Sequence, residues 1–175
     1  ERKRNDMKMS KIIKMKNIEE IINEKKKKKV TLKVDLFGSG IDEINVNEIN
    51  NKIIINKNED LLNILVIDCG IKNSQLRSLL KRNVQLSIVN VEYNFIDEVF
   101  EGEYDGIFIS NGPGNPVNSK CVVDQLQRIF ESILEIPIFG ICYGHQLIGL
   151  ASGNKIGKMK YGNRGHNIPC NLVGT

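Results

Sequence analysis

The stretch IPIFGICYGHQLIGLASG, residues 136–153, decides how the rest of this chain is read. Its first six residues, IPIFGI, form an apolar run that reads as a strand. The continuation, YGHQLIGLASG, reads as a helix ending at Gly153. Between them lies G-I-C-Y-G, in which Gly140 and Gly144 stand two residues either side of Cys142. A strand that turns directly into a helix leaves no room for side chains at such flanking positions, and it lifts the central residue above the sheet edge. The helix then aims its free N–H groups and the positive end of its dipole at the sulfur, which stabilises negative charge there. The plainer reading of such a cysteine is a buried residue at a strand end. The glycine spacing favours a nucleophile.

Working outward, NILVID (Asn63–Asp68) is another continuous apolar run. SQLRSLLKRN follows it with helical spacing at Leu76, Leu79 and Leu80. QLSIVNV (residues 85–91) and YDGIFIS (residues 104–110) read as two further strands. Val122, Leu126, Ile129 and Ile133 mark one stripe of the helix between YDGIFIS and IPIFGI, with Val123, Phe130 and Leu134 beside it. Strands alternating with helices at this spacing imply βαβ units, hence an α/β fold with an open, mostly parallel sheet and flanking helices. Ligands of such sheets bind outside the carboxyl ends of the strands. DCGIKNS, SNGPGNP and GICYG all fall there.

The turn NGPGNP (residues 111–116) reads, alone, as a tight loop. Beside a cysteine elbow it gains a second meaning. An exposed N–H at Gly112, opposite that of Tyr143, makes a two-donor oxyanion hole, each donor worth roughly 3–4 kcal/mol in acyl transfer. His145, three residues after Cys142, need not face the sulfur from the first helical turn and is read as structural. His166 reads as a loop residue, so neither histidine is a convincing base for the thiol.

Residues 1–60 differ in character. Residues 1–29 hold twelve Lys/Arg and five Asp/Glu, so the chain's net charge of +4 belongs to this tail. Lys25–Lys29 admits a nucleic-acid or membrane patch, but no aromatic residue precedes Phe37 to stack on bases. The preferred reading is a low-complexity, solvated linker or insertion over residues 1–60. Within it, a short helix around Ile18, Ile21 and Ile22 and a strand over residues 30–38 are the local signals. Residues 61–175 then form the folded part. Cys69, Cys121, Cys142 and Cys170 show no C-x-x-C pair, so neither a metal site nor a disulfide framework is expected. No apolar stretch reaches the roughly 18–20 residues needed to cross a bilayer, and no signal peptide is evident. The expected setting is cytoplasmic, with no membrane or nucleic-acid partner.

These motifs resemble a known family. GICYGHQLIGLASG is similar to the nucleophile motif of class I, triad-type glutamine amidotransferases, and ISNGPGNP to their oxyanion loop. DCGIKNSQLR resembles the family's first strand–helix turn through Asp68, Gly70, Lys72, Leu76 and Arg77, with Ser74 where the family usually has Asn. GKMKYGNRGHNIP narrows the resemblance to the glutaminase part of carbamoyl phosphate synthetase, although His166 sits one place before the family's more usual position. The resemblance, over roughly residues 63–171, implies a flavodoxin-like fold and glutamine hydrolysis through a γ-glutamyl thioester. Cys142 would be the nucleophile, Gly112 and Tyr143 the oxyanion N–H donors, and Gly114 and Gln146 would help hold L-glutamine. The domain itself would need no metal or cofactor. ATP and magnesium would serve a synthetase module, the large-subunit partner, fused or separate, that turns the released ammonia into carbamoyl phosphate for pyrimidine or arginine synthesis. The family's catalytic His and Glu would lie beyond Thr175, leaving the triad incomplete and the domain C-terminally truncated. The alternatives are an amidotransferase serving another acceptor, as in anthranilate or GMP synthesis, and a non-catalytic regulatory module.

Overall fold

The computed structural model describes residues 51–162 in full, together with the backbone of residues 30–34 and 42–49. The expected helix around Ile18–Ile22, His166 and Cys170 lie outside the described residues.

Four strands form the parallel body of the sheet: β4 (Asn63–Asp68), β5 (Gln85–Asn90), β6 (Gly106–Ile109) and β7 (Ile138–Gly140). They stand in the order β5-β4-β6-β7, with β4 parallel to both β5 and β6, and β6 parallel to β7. Helix α1 (Asn73–Leu80) joins β4 to β5, α2 (Ile96–Phe100) joins β5 to β6, and α3 (Lys120–Phe130) joins β6 to β7. Helix α4 (Tyr143–Ala151) leaves β7. From β4 the chain steps outward to β5, then crosses back to β6 on the other side. The carboxyl ends of β4 and β6 therefore flank the point where the winding reverses, the usual place for a ligand crevice in such sheets.

The runs of β4, β5 and β6 are buried on both faces, which is why they show no alternation, whereas β7 leaves Phe139 exposed. Leu65, Ile67, Val89, Ile107 and Ile109 pack against Val122, Leu126 and Ile129 of α3 and Leu147 of α4. The intervening positions Val66, Leu86, Ile88 and Phe108 face the other way, toward Leu76 and Leu80 of α1. Each such side chain, fully buried, contributes about 1.5–3 kcal/mol.

Three strands lie within residues 30–55, in the stretch where a linker through residue 60 is expected. β1 (Val30–Val34), β2 (Asp42–Ile49) and β3 (Lys52–Ile55) form an antiparallel ribbon whose last member pairs with β5. Ile53 and Ile55 join the cluster around Leu76 and Leu86, so at least Lys52–Ile55 belongs to the folded unit. β1 falls within the strand expected over residues 30–38, while the Lys/Asn/Ile bias concealed β2 and β3. Two smaller differences follow from local geometry. The α3 stripe holds for Val122, Leu126 and Ile129, but the helix ends at Phe130 and leaves Ile133 fully exposed. Helix α2 is only five residues long, too short to show a period. Its first amides are met by Gln125, whose Oε1 accepts from Phe95 N–H at 2.7 Å and from Ile96 N–H at 3.1 Å.

Lys52 is buried at the start of β3. Its Nζ donates to Glu98 at 2.9 Å, to Glu103 at 3.3 Å and to Tyr104 Oη at 2.8 Å. This cluster fastens the ribbon to α2 and the loop after it. On the α1 face, an open apolar groove of about 670 Å³ runs along Ile64, Phe108, Ile138 and Phe139. The rings of Phe108 and Phe139 stack at 6.2 Å, and Phe139 is 63% exposed. Neither Cys142 nor Gly112 lines it. No helix among the described residues is long and apolar enough to cross a membrane.

Candidate active site

Cys142 follows Ile141 in the two-residue turn between β7 and α4, and its backbone takes φ 53°, ψ −101°. That combination lies outside the regions L-residues normally occupy and costs on the order of 1–3 kcal/mol. The flanking glycines make it attainable. A Cβ on Gly140 would come within 2.5 Å of the Gly144 carbonyl carbon, and one on Gly144 within 2.2 Å of the Ile109 carbonyl oxygen. Turn and helix are thus pressed against each other and against β6, while the thiol itself is exposed.

The loop after β6 lies beside this turn because the register aligns them. Ile109 pairs with Gly140, so Gly112 and Tyr143 each stand three residues past one matched pair. The Tyr143 amide opens α4, where helix geometry provides no internal acceptor. Among the described residues, neither this amide nor that of Gly112 donates to another protein group. The loop is held at both ends. Tyr143 Oη lies 2.8 Å from Ser119 Oγ and donates to the Asn115 carbonyl at 3.2 Å. At the near end, Gly112 sits against the turn after β4, where an added Cβ would meet the Cys69 carbonyl oxygen at 2.0 Å. That turn is closed by Asp68, whose Oδ1 accepts from Gly70 and Ile71 N–H, each at 2.8 Å. Gly70, at φ 128°, passes beneath Pro113.

Gly114 and Gln146 are both exposed near this edge, Gly114 at φ 103° in the loop and Gln146 on the first turn of α4. His145 is exposed on α4, and no hydrogen bond joins it to Cys142 among the described residues. The other thiols contrast with Cys142. Burial, reinforced by the neighbouring Asp68 carboxylate, pushes the Cys69 thiol from 9.0 up to about 12, against a hydrogen bond with Ser110 that lowers it. Cys121 is exposed on the first turn of α3. The described residues contain no cluster of His, Cys, Asp or Glu arranged to hold a metal. Sequence reasoning did not single out Ser110, Asn115 or Ser119, whose partners lie on other turns.

Residues 65–175 match the glutamine amidotransferase class-I family, which is most of the chain. The chain belongs to that family. This amidotransferase is 51% identical over 113 residues to the multifunctional protein ura1 of Schizosaccharomyces pombe, covering 65% of this chain and 5% of that one. It is 49% identical over 109 residues to the carbamoyl phosphate synthase arginine-specific small chain of Candida albicans, covering 62% and 25% respectively. It is 46% identical over 112 residues to the multifunctional protein CAD of Squalus acanthias, covering 64% and 5%. The chain therefore spans a quarter or less of the length of these relatives.

Proposed function

We propose that this amidotransferase belongs to the glutaminase part of a carbamoyl phosphate synthetase, hydrolysing L-glutamine on Cys142 to supply ammonia for ATP-dependent carbamoyl phosphate synthesis. The observation that carries the reading is the strained backbone of Cys142, enforced by Gly140 and Gly144, with two amides that meet no acceptor among the described residues three residues past a matched strand pair. The small-chain relative supports the choice of synthetase, as does the KMKYG segment at residues 158–162.

In this reading Cys142 Sγ attacks the γ-amide carbon of glutamine. The carbonyl oxygen gathers negative charge, which the Gly112 and Tyr143 amides stabilise from fixed positions, with no reorganisation at the moment of reaction. The C–N bond then breaks and ammonia departs with the proton taken from the thiol. Water attacks the γ-glutamyl thioester, releasing glutamate and restoring the thiol. The His and Glu implied by the family resemblance would move these protons. Gly114 and Gln146 would line the approach for the amino-acid end of glutamine. The synthetase module would use ATP with magnesium and bicarbonate to capture the ammonia.

Two measurements on the intact protein test this. An electrophilic glutamine analogue should label Cys142, read by peptide mass spectrometry; label on Cys69 or Cys121 with none on Cys142 would overturn the assignment. Cys142→Ser should abolish carbamoyl phosphate formation from glutamine while leaving formation from free ammonia intact. Failure of the wild-type protein to make carbamoyl phosphate from either nitrogen source would point to another acceptor.

A further inference from the structure

Ser110 takes no part in the chemistry just described, yet it is fully buried where the three turns meet. Its hydroxyl oxygen accepts from the Cys69 amide at 2.9 Å, and its proton is donated to the Asn111 carbonyl, also at 2.9 Å. Its own carbonyl accepts from the Gly144 amide at 3.1 Å, and its amide donates to the Ile67 carbonyl at 3.1 Å. One residue thereby touches β4, the turn after β4, the loop after β6 and the helix that follows Cys142.

The second of those contacts matters most. The Asn111 carbonyl and the Gly112 N–H are two ends of one peptide unit. A trans peptide is planar, so its C=O and N–H point in opposite directions. Holding the carbonyl on the Ser110 hydroxyl therefore holds the Gly112 N–H pointing away from it. The Cys69 amide, donating to the same oxygen, holds the hydroxyl in place beside that carbonyl. Asn111 restrains the same unit from its side chain, with Nδ2 donating to the Gly70 carbonyl at 3.1 Å. Turning this peptide over would break the Ser110 contact and move the Gly112 amide out of place.

We infer that Ser110 is a positioning residue for the reaction at Cys142, and that its hydroxyl sets the direction of the Gly112 N–H. The inference rests on the proposed nucleophilic role of Cys142. It assigns to Ser110 a part in turnover, beyond cohesion of the fold.

The test compares two reagents on the intact protein. A chloroketone analogue of glutamine develops negative charge on its carbonyl oxygen as the thiol attacks, whereas iodoacetamide needs only an accessible thiol. Ser110→Ala should slow chloroketone labelling of Cys142 by about 100-fold, the scale of losing one oxyanion donor, and leave iodoacetamide labelling unchanged. Equal slowing of both reagents would show a general structural role and overturn the inference, as would no slowing of either. Asn111→Ala, at a less buried position, provides a second variant should Ser110→Ala fail to fold. It should shift the ratio of the two rates in the same direction, and an unchanged ratio would overturn the inference. Absence of chloroketone labelling in the wild-type protein would instead overturn the role of Cys142.

Discussion

Gly144 lies so close beneath Ile109 that a methyl group added to it would stand 2.2 Å from the Ile109 carbonyl oxygen. Both atoms are held by backbone, one in α4 and one in β6, so no side-chain rotation relieves the overlap. Gly144→Ala must push the helix off the sheet, and we expect a loss of about 3 kcal/mol or more, at the upper end of overpacking effects. Urea unfolding of the variant beside wild type measures it. A loss below about 1 kcal/mol would contradict this packing.

Tyr143→Phe keeps the backbone amide proposed as a donor and removes the phenol that ties α4 to Ser119 and Asn115. Stability should fall by about 1 kcal/mol, the usual net worth of such bonding. Glutamine turnover should fall more than glutamine affinity, because the loop loses its far anchor while its near end stays in place. Steady-state kinetics separating kcat from KM provide the check.

Native thiols should divide by reactivity at pH 8. Cys121 and Cys142 are exposed and should react with iodoacetamide, whereas Cys69 should remain unmodified, its thiol held protonated up to about pH 12 by burial and by Asp68. Peptide mapping after a short exposure distinguishes them. The same shift makes a stability prediction. The unfolded chain releases the Cys69 proton near pH 9.0 and the native chain near 12, so in that window the unfolded state binds fewer protons. Stability therefore falls as pH rises from about 9 toward 12. Tyr93, raised from 10.0 to about 12 chiefly by burial and by its hydrogen bond to Glu98, adds to the same decline. Cys69→Ala should flatten the alkaline limb of a plot of urea midpoint against pH.

The Lys52 cluster predicts both a mutational cost and an acid limb. Lys52→Met leaves Glu98 without its cation and should cost about 1.5–3 kcal/mol, the worth of hydrogen bonds to a charged group. Adding Glu98→Gln should recover part of that loss. Burial raises the Glu98 carboxyl, but hydrogen bonds from Tyr104, Tyr93 and Lys52 outweigh it and hold the group below its usual 4.5. That stabilisation is present above pH 4.5 and is lost as pH falls through the lower native value. Chemical denaturation between pH 3 and 7 should show the slope in wild type and its reduction in Glu98→Gln.

The parallel strands were legible because burial on both faces leaves unbroken apolar runs, as in Asn63–Asp68. The turn at Cys142 was legible because its glycines are demanded by backbone contacts and so appear as letters. What escaped was set by partners distant in sequence. Lys52 reads as one more lysine in a Lys-rich segment until Glu98, 46 residues away, closes on it. Gln125 reads as the polar side of a helix, yet it is buried and satisfies the start of α2. Ser110 reads as the last residue of a strand. Its importance lies in the three turns it joins. Ile133 was placed on a helical stripe by periodicity, but the helix stops three residues earlier.

The strained turn has a consequence for how this region tolerates change. Tyr143 aside, folding and the proposed chemistry fall on different letters of G-I-C-Y-G. The two outer glycines carry no reactive atom, yet nothing larger fits where they stand. The cysteine carries the sulfur proposed as nucleophile, yet its exposed side chain supports little of the fold. Substitution at the centre should therefore erase activity while sparing abundance, and substitution at the borders should erase both together.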